Sequence, residues 1–252
     1  MSFKLISVLT WSSVAVALGT RIVFSTGNVD TFDNLNGNSL PVLAISPIPD
    51  SPKNLSYTNG FGYVAAGAGS TGVYTGIAAA SPPNVAIIVA SELSINAMGN
   101  IKAPENKCFV LKSLRFGCTN TDVQGAVSVP LPCTVTFTII NDYGNPTNTQ
   151  DIKFEPKGLS FSGTTVTAKM QYQDMNLPAA KNIKVVANIL PKPGGNLDNF
   201  LSGLTNLDGI PLLGNSAAKL RELYGPIYEQ GSIASAGLFD NIKYDLIDGI
   251  NC

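Results

Sequence analysis

Between residues 134 and 139, Thr134, Thr136 and Thr138 alternate with Val135, Phe137 and Ile139. Between 165 and 172 the pattern returns, with Val166, Ala168, Met170 and Tyr172 set against Thr165, Thr167, Lys169 and Gln171. A period of two places the apolar side chains of an extended segment on one face and the polar ones on the other. These segments therefore read as strands buried on one side, and threonine on the wet side adds strand propensity. Runs at 84–90, 108–116, 152–154, 183–190 and 239–246 are further strand candidates. Turn-rich stretches punctuate them, among them Asn141-Asp142-Tyr143-Gly144-Asn145-Pro146 and Pro191-Lys192-Pro193-Gly194-Gly195. Many short strands with such turns, and no alternation of strands with helices, predict an all-β chain folded as an antiparallel β-sandwich. A parallel sheet would need near-continuous apolar strands and crossover helices.

One patch departs from this pattern. Leu197, Phe200, Leu201 and Leu204 have helical spacing, and Asn215-Ser216 can cap a helix running through Leu223. Flanked by Pro193 and Pro226, it predicts a short helical insertion at about 191–228, before the last strands. The remainder of 19–252 reads as a single sandwich domain.

Residues 1–18 read as a secretory signal peptide. Lys4 supplies the positive start, an apolar stretch runs to Leu18, and Ala15-Val16-Ala17 has the small-x-small pattern cut by signal peptidase. The stretch is shorter than the about 20 apolar residues a spanning helix takes. The chain is thus expected to be secreted, extracellular or in the cell wall, with no membrane attachment once the leader is gone. Trp11 is the only tryptophan and leaves with that leader.

All four cysteines, Cys108, Cys118, Cys133 and Cys252, follow the leader. An even number in a secreted chain implies disulfides. Three pairings are open. Cys118 and Cys133 flank a polar, proline-containing segment between two strand-like runs, which favours Cys118–Cys133 and leaves Cys108–Cys252 to tie down the last residue. The competing reading has Cys252 free or paired with another chain. Asn54-Leu55-Ser56 is a sequon in a stretch rich in Pro, Asn and Gly, so Asn54 is a candidate glycosylation site.

Charge narrows the function classes. With 16 basic and 17 acidic residues and a net charge of −1, the chain lacks the basic surplus that neutralises phosphates, and nucleic-acid binding is not expected. The absence of histidine removes the commonest general base and the commonest metal ligand. Glu92, Glu105, Glu155, Glu222 and Glu229 are scattered, with no pair marked for glycoside hydrolysis. Gly67-Ala68-Gly69-Ser70-Thr71-Gly72 lacks the lysine of a phosphate-binding loop.

Several stretches, in order along the chain, are Thr31-Phe32-Asp33-Asn34-Leu35, Lys53-Asn54-Leu55-Ser56-Tyr57 with Gly60-Phe61, Ser81-Pro82-Pro83-Asn84-Val85-Ala86, Phe116-Gly117-Cys118 with Ser128-Val129-Pro130-Leu131-Pro132-Cys133, and Phe239-Asp240-Asn241-Ile242. Together they resemble an uncharacterised family of secreted fungal proteins. The resemblance implies a jelly-roll-like sandwich similar to carbohydrate-binding modules, and a bridge between the two cysteines that flank the Ser-Val-Pro segment. It implies no activity, and the insertion at 191–225 departs from its compact pattern.

Two groups of residues are candidates for a site. Strand parity puts Asp240 on the same face as Ile242, Tyr244 and Leu246, where a buried carboxylate must be paired, protonated or bound to a cation. Asp33, with Asp30 as a substitute, is the candidate partner carboxylate, and a structural Ca²⁺ is the candidate cation. The competing reading has Asp240 accept hydrogen bonds from turn amides at the strand start. Tyr57, Phe61, Tyr63 and Tyr74 cluster in a glycine-rich region and are candidates for a loop surface that stacks on sugar rings. The same aromatics would equally serve as core. Tyr224 and Tyr228 offer either a second exposed pair or an anchor for the insertion. The expectation is a secreted, non-catalytic, monomeric β-sandwich binding cell-wall or other extracellular polysaccharide. The alternatives are an effector or surface protein working through protein contacts, and an unrecognised polysaccharide-active enzyme.

Overall fold

The computed structural model describes residues 27–35, 45–50, 54–66, 76–90, 96–121, 128–162, 165–189, 201, 218, 221–222, 224–225, 234–249 and 252. The expected leader at 1–18 and most of the expected helical insertion lie outside them. Within 191–228 only Leu201, Ala218, Arg221, Glu222, Tyr224 and Gly225 are described, and these six are helical.

The rest is strand. In chain order the elements are β1 (Asn28–Asp30), β2 (Ser56–Thr58), β3 (Phe61–Ala65), β4 (Ile77–Ala78), β5 (Asn84–Val89), β6 (Asn96–Lys102), β7 (Lys107–Thr121), β8 (Ser128–Pro130), β9 (Cys133–Ile140), β10 (Pro146–Phe154), β11 (Ser160–Ser162), β12 (Thr165–Lys169), β13 (Gln171–Asp174), β14 (Asn182–Ile189) and β15 (Ala234–Asp248). A seven-stranded sheet runs β13-β7-β15-β5-β3, with β1 added on β15 and β8 on β7. A five-stranded sheet runs β10-β9-β14-β6-β2, and a small three-stranded sheet β11-β12-β4. The seven- and five-stranded sheets are antiparallel throughout, and the pairing of β12 with β4 is parallel. From β5 to β7 the chain changes sheet at each step, and it does so again from β13 to β15. Among the described residues the fold is nearly all-β, dominated by two large antiparallel sheets.

The two large sheets meet through their apolar faces. Phe116 of β7 lies edge-on to Phe154 of β10 at 6.0 Å between ring centroids, and Phe239 of β15 meets Phe137 of β9 at 6.3 Å. Phe239 also touches Phe61, which packs on Tyr57, which packs on Phe32, so one chain of rings crosses the core. In β9, Cys133, Val135, Phe137 and Ile139 are buried while the threonines between them are partly exposed, as alternation requires. Gly99 of β6 lies under this ring stack, and a Cβ there would collide with Phe61 and Ile88.

The alternation at 165–172 does not form one strand. It breaks at Met170: β12 belongs to the small sheet and β13 to the seven-stranded one. Val166, Ala168 and Met170 are buried as expected, but beyond the break Tyr172 lies 48% exposed. Its ring carries the Arg115 guanidinium at 5.7 Å and its hydroxyl donates to Asp174.

The outer strands β10 and β13 are cross-linked by glutamine. Gln171 donates to the Lys153 carbonyl and accepts from the Glu155 N–H. Gln150 donates to the Asp174 carbonyl and accepts from the Asn176 N–H. Each side-chain amide thus stands in for a missing backbone partner, which blunts two strand edges otherwise open to pairing with another chain.

Candidate functional site

The disulfides are Cys118–Cys133 and Cys108–Cys252, each with Cα atoms 6.1 Å apart. The first joins β7 of one large sheet to β9 of the other. The second spans 144 positions and holds the last residue against β7. Such pairs suit an oxidising compartment. No helix among the described residues is long and apolar enough to cross a membrane.

Asp240 requires a correction. It does not share a face with Ile242, Tyr244 and Leu246. Asn241 adopts a left-handed backbone (φ 49°) and the pairing of β15 with β7 shifts register between Asp240 and Lys243, a bulge that reverses the alternation. Phe239, Ile242 and Tyr244 face the core, whereas Asp240 stands opposite Arg115, on the outer side of the seven-stranded sheet. There it is nonetheless fully buried, with Ser81 against it. Asp240 Oδ2 accepts the Ser81 N–H at 2.7 Å, and Oδ1 accepts the Asn241 N–H at 2.7 Å and the Ser81 hydroxyl at 2.9 Å. Burial pushes its carboxyl above the usual range, the three donors pull it back, and the charge of Asp33 adds to the rise.

The Ca²⁺ expectation is tested by the donor set. Both Asp240 oxygens already hold protein donors, so this side chain has the hydrogen-bonded role at a turn. Asp33 adds one buried oxygen, Oδ1, without a hydrogen-bond partner among the described residues. No cluster of three or more acidic, histidine or cysteine side chains exists among the described residues. Ca²⁺ takes roughly six to eight oxygens, and these two residues do not fit it.

Asp30, which the sequence offered only as a substitute, belongs to a different group. Its Oδ2 accepts the Tyr57 hydroxyl at 2.6 Å and its Oδ1 the Tyr244 hydroxyl at 3.3 Å. Burial raises the Asp30 carboxyl and the two phenols lower it. Burial, then the charge of Asp30, drives both tyrosines upward, so both stay protonated donors. The group ties β1, β2 and β15 together beneath an open cleft of about 390 Å³, which Asp50 and the exposed Asn54 also line.

The aromatic surface also needs correction. Tyr57, Phe61 and Tyr63 are only 5%, 7% and 9% exposed, and Tyr57 and Phe61 sit in the ring chain of the core. Desolvating a large ring outweighs leaving it in a glycine-rich loop. Tyr74 lies outside the described residues. Tyr224 is fully buried, its hydroxyl donating to the Pro130 carbonyl, so it anchors its segment on β8.

A third region was not singled out by sequence. The outer face of the five-stranded sheet carries a groove of about 600 Å³. Register aligns Thr58, Asn100, Lys184, Thr138 and Thr149 in one row across all five strands. The neighbouring rows hold Ser56, Lys102 and Asn182 on one side and Met98, Val186, Thr136 and Asp151 on the other. At the ~4.8 Å spacing of strands, a five-strand row is about 19 Å long. Asn182 Oδ1 and Thr58 Oγ1 are buried on this face without a hydrogen-bond partner among the described residues. Met98, 44% exposed, lines the groove. At one end the β9–β10 turn presents Tyr143, 89% exposed, beside groove residues Gly144 and Pro146. Asn141 fixes that turn, its side-chain oxygen accepting the N–H groups of Tyr143 and Asn145. The available signal was an aromatic within a turn motif that offers nothing to bury it.

No protein-family model matches this chain, and neither does any curated protein sequence. Among solved structures it is similar to the K1 cleaved adhesin domain of Lys-gingipain from Porphyromonas gingivalis W83, at 11% identity over 90% of this chain and 100% of that one, with a TM-score of 0.31. A likeness at that level fixes neither fold nor function.

Proposed function

We propose that this protein is a secreted, non-catalytic β-sandwich of jelly-roll-like form that binds extracellular glycan on the outer face of its five-stranded sheet. The observation that carries this reading is the groove, where amide and hydroxyl side chains stand in register around an exposed methionine, with an exposed tyrosine at its end. Sugar hydroxyls both donate and accept, as do asparagine and threonine, and the apolar faces of a sugar ring pack on groups such as Met98 and Tyr143. The two disulfides and the reading of residues 1–18 as a leader support secretion. The resemblance to secreted fungal proteins supports the sandwich form, and the same reading places an N-linked glycan on exposed Asn54.

The test is a pull-down of the mature protein on chitin, β-glucan and pectin, followed by affinity measurements on whichever is retained. Tyr143→Ala is expected to weaken binding about fivefold, and Asn100→Ala with Asn182→Ala about tenfold, from the ordinary worth of a ring contact and of two hydrogen bonds. Retention on no polysaccharide, or full retention by the triple variant, overturns the reading.

A further inference from the structure

We infer that the glycan is anionic, and that Lys102 and Lys184 together read its acidic groups. The inference rests on the glycan-binding reading above and narrows its ligand class.

The outward residues of the five strands show how charge is placed. β6 presents Met98, Asn100 and Lys102, β14 presents Asn182, Lys184 and Val186, and β9 presents threonines. On β10 the outward charges are Asp151 and Lys153, which face Thr136 and Thr134. The face therefore holds three lysines and one aspartate, in a chain whose 16 basic and 17 acidic residues otherwise balance. Asp151 is at the edge strand and is taken by the Thr136 hydroxyl at 2.7 Å. Beside the groove, Asp142 is paired with Lys181 at 2.8 Å.

Lys102 and Lys184 are different. Both are exposed, and neither forms an ion pair with a described residue. Lys102 stands opposite Asn182 and Lys184 opposite Asn100, so the two lysines are diagonal neighbours on adjacent strands. Such positions are about 7–8 Å apart at Cα, close enough for two long side chains to converge. Their cross-strand neighbours Ser56, Asn182, Asn100 and Thr138 are neutral hydrogen-bonding groups. Two like charges set side by side without an acid are mutually unfavourable, and an anion between them removes that cost. Neutral donors and acceptors around a cationic pair match a sugar that bears a carboxylate or a sulfate among its hydroxyls.

The experiment compares wild-type protein with Lys102→Gln/Lys184→Gln on four probes: polygalacturonate, chondroitin sulfate, neutral β-glucan, and a poly-glutamate peptide as a non-sugar anion. Retained far-UV circular dichroism checks the fold of the variant. The wild type is expected to bind at least one acidic polysaccharide about tenfold more tightly than β-glucan, and the double variant to bring that ratio near one. Raised salt should weaken the acidic arm and spare the neutral one. The first two probes separate carboxylate from sulfate. If β-glucan binds as well as the better of the two acidic polysaccharides, or the ratio survives in the variant, the inference falls while the glycan reading stands. If poly-glutamate binds more tightly than any polysaccharide, the inference falls in favour of a protein partner. If no polysaccharide binds at all, both fall together.

Discussion

Asp240→Ala is the most informative single change. The carboxylate is fully buried and holds three donors: the Ser81 N–H, the Asn241 N–H and the Ser81 hydroxyl. On truncation the hydroxyl keeps a second acceptor, since Ser81 Oγ lies 3.1 Å from Asn241 Oδ1. The two backbone N–H groups lose their partner. At about 1–3 kcal/mol for each buried unsatisfied donor, the variant should lose roughly 4 kcal/mol. Asp240→Asn retains one acceptor oxygen and the shape of the group, and should lose only about 1–2 kcal/mol. A pH dependence follows. The folded-state carboxyl sits above its ordinary value of 3.8, chiefly through burial. The native state then holds this proton more tightly than the unfolded chain. The stability it confers is fully present below pH 3.8 and is lost as pH rises through the folded value. Alanine has no such contribution, so the penalty of Asp240→Ala should grow as pH falls from 7 to 4. Urea unfolding followed by far-UV circular dichroism at several pH values measures all three quantities. A loss under about 1 kcal/mol for alanine, or a larger loss for asparagine, would refute the assignment of Asp240 as the acceptor that pins Ser81 to the bulge, and a penalty that shrinks on acidification would refute burial as the dominant influence on its carboxyl.

Tyr57→Phe removes the 2.6 Å hydrogen bond to Asp30 and should cost about 2 kcal/mol at pH 7 by urea unfolding. Because that bond lowers the Asp30 carboxyl, its loss raises the carboxyl further, and the cost should shrink toward pH 4 as the proton returns. Gly99→Ala sets a Cβ against Phe61 and Ile88 beneath the ring chain, so thermal unfolding should show a loss of about 2–3 kcal/mol. Gln150→Ala with Gln171→Ala uncaps the backbone of β10 and β13, and should cost about 1–2 kcal/mol while raising the concentration-dependent aggregation rate in light scattering.

Strands legible in the sequence were those in which alternation was strong. Residues 134–139 and 183–190 correspond to β9 (Cys133–Ile140) and β14 (Asn182–Ile189) within one residue at each end. The strand β6, beside β14, passed unnoticed because its buried positions are Ala97, Gly99 and Ile101, two of them too small to signal an apolar face. Gly99 is small because the Phe61 ring occupies the space, a fact about a partner strand. The site was less legible. Tyr57 and Phe61 looked like an exposed aromatic loop, yet both are core, and the most exposed aromatic ring among the described residues is Tyr143, in a turn read only as punctuation. Whether a ring is wet or dry depends on what lands on it, and local composition does not contain that information.

The amino-acid order alone determined that segments such as 134–139 and 183–190 form strands with one wet side, and it supplied an even set of four cysteines while leaving the partner of Cys252 open. The first follows from chain-local geometry, since an extended backbone has a period of two, whereas the pairs Cys118–Cys133 and Cys108–Cys252 are set by the fold that brings them together. Tertiary structure alone decided the direction in which Asp240 points, the trio of Asp30 with two tyrosines, and the convergence of Lys102, Asn182, Asn100 and Lys184 on one face. The Ser81–Asp240 contact joins residues 159 positions apart, and Asp30 meets Tyr244 across 214. A one-residue bulge at Asn241 turned one carboxylate from the core side to the outside, and the energy that holds it there comes from a turn that no local pattern around residue 240 could reveal.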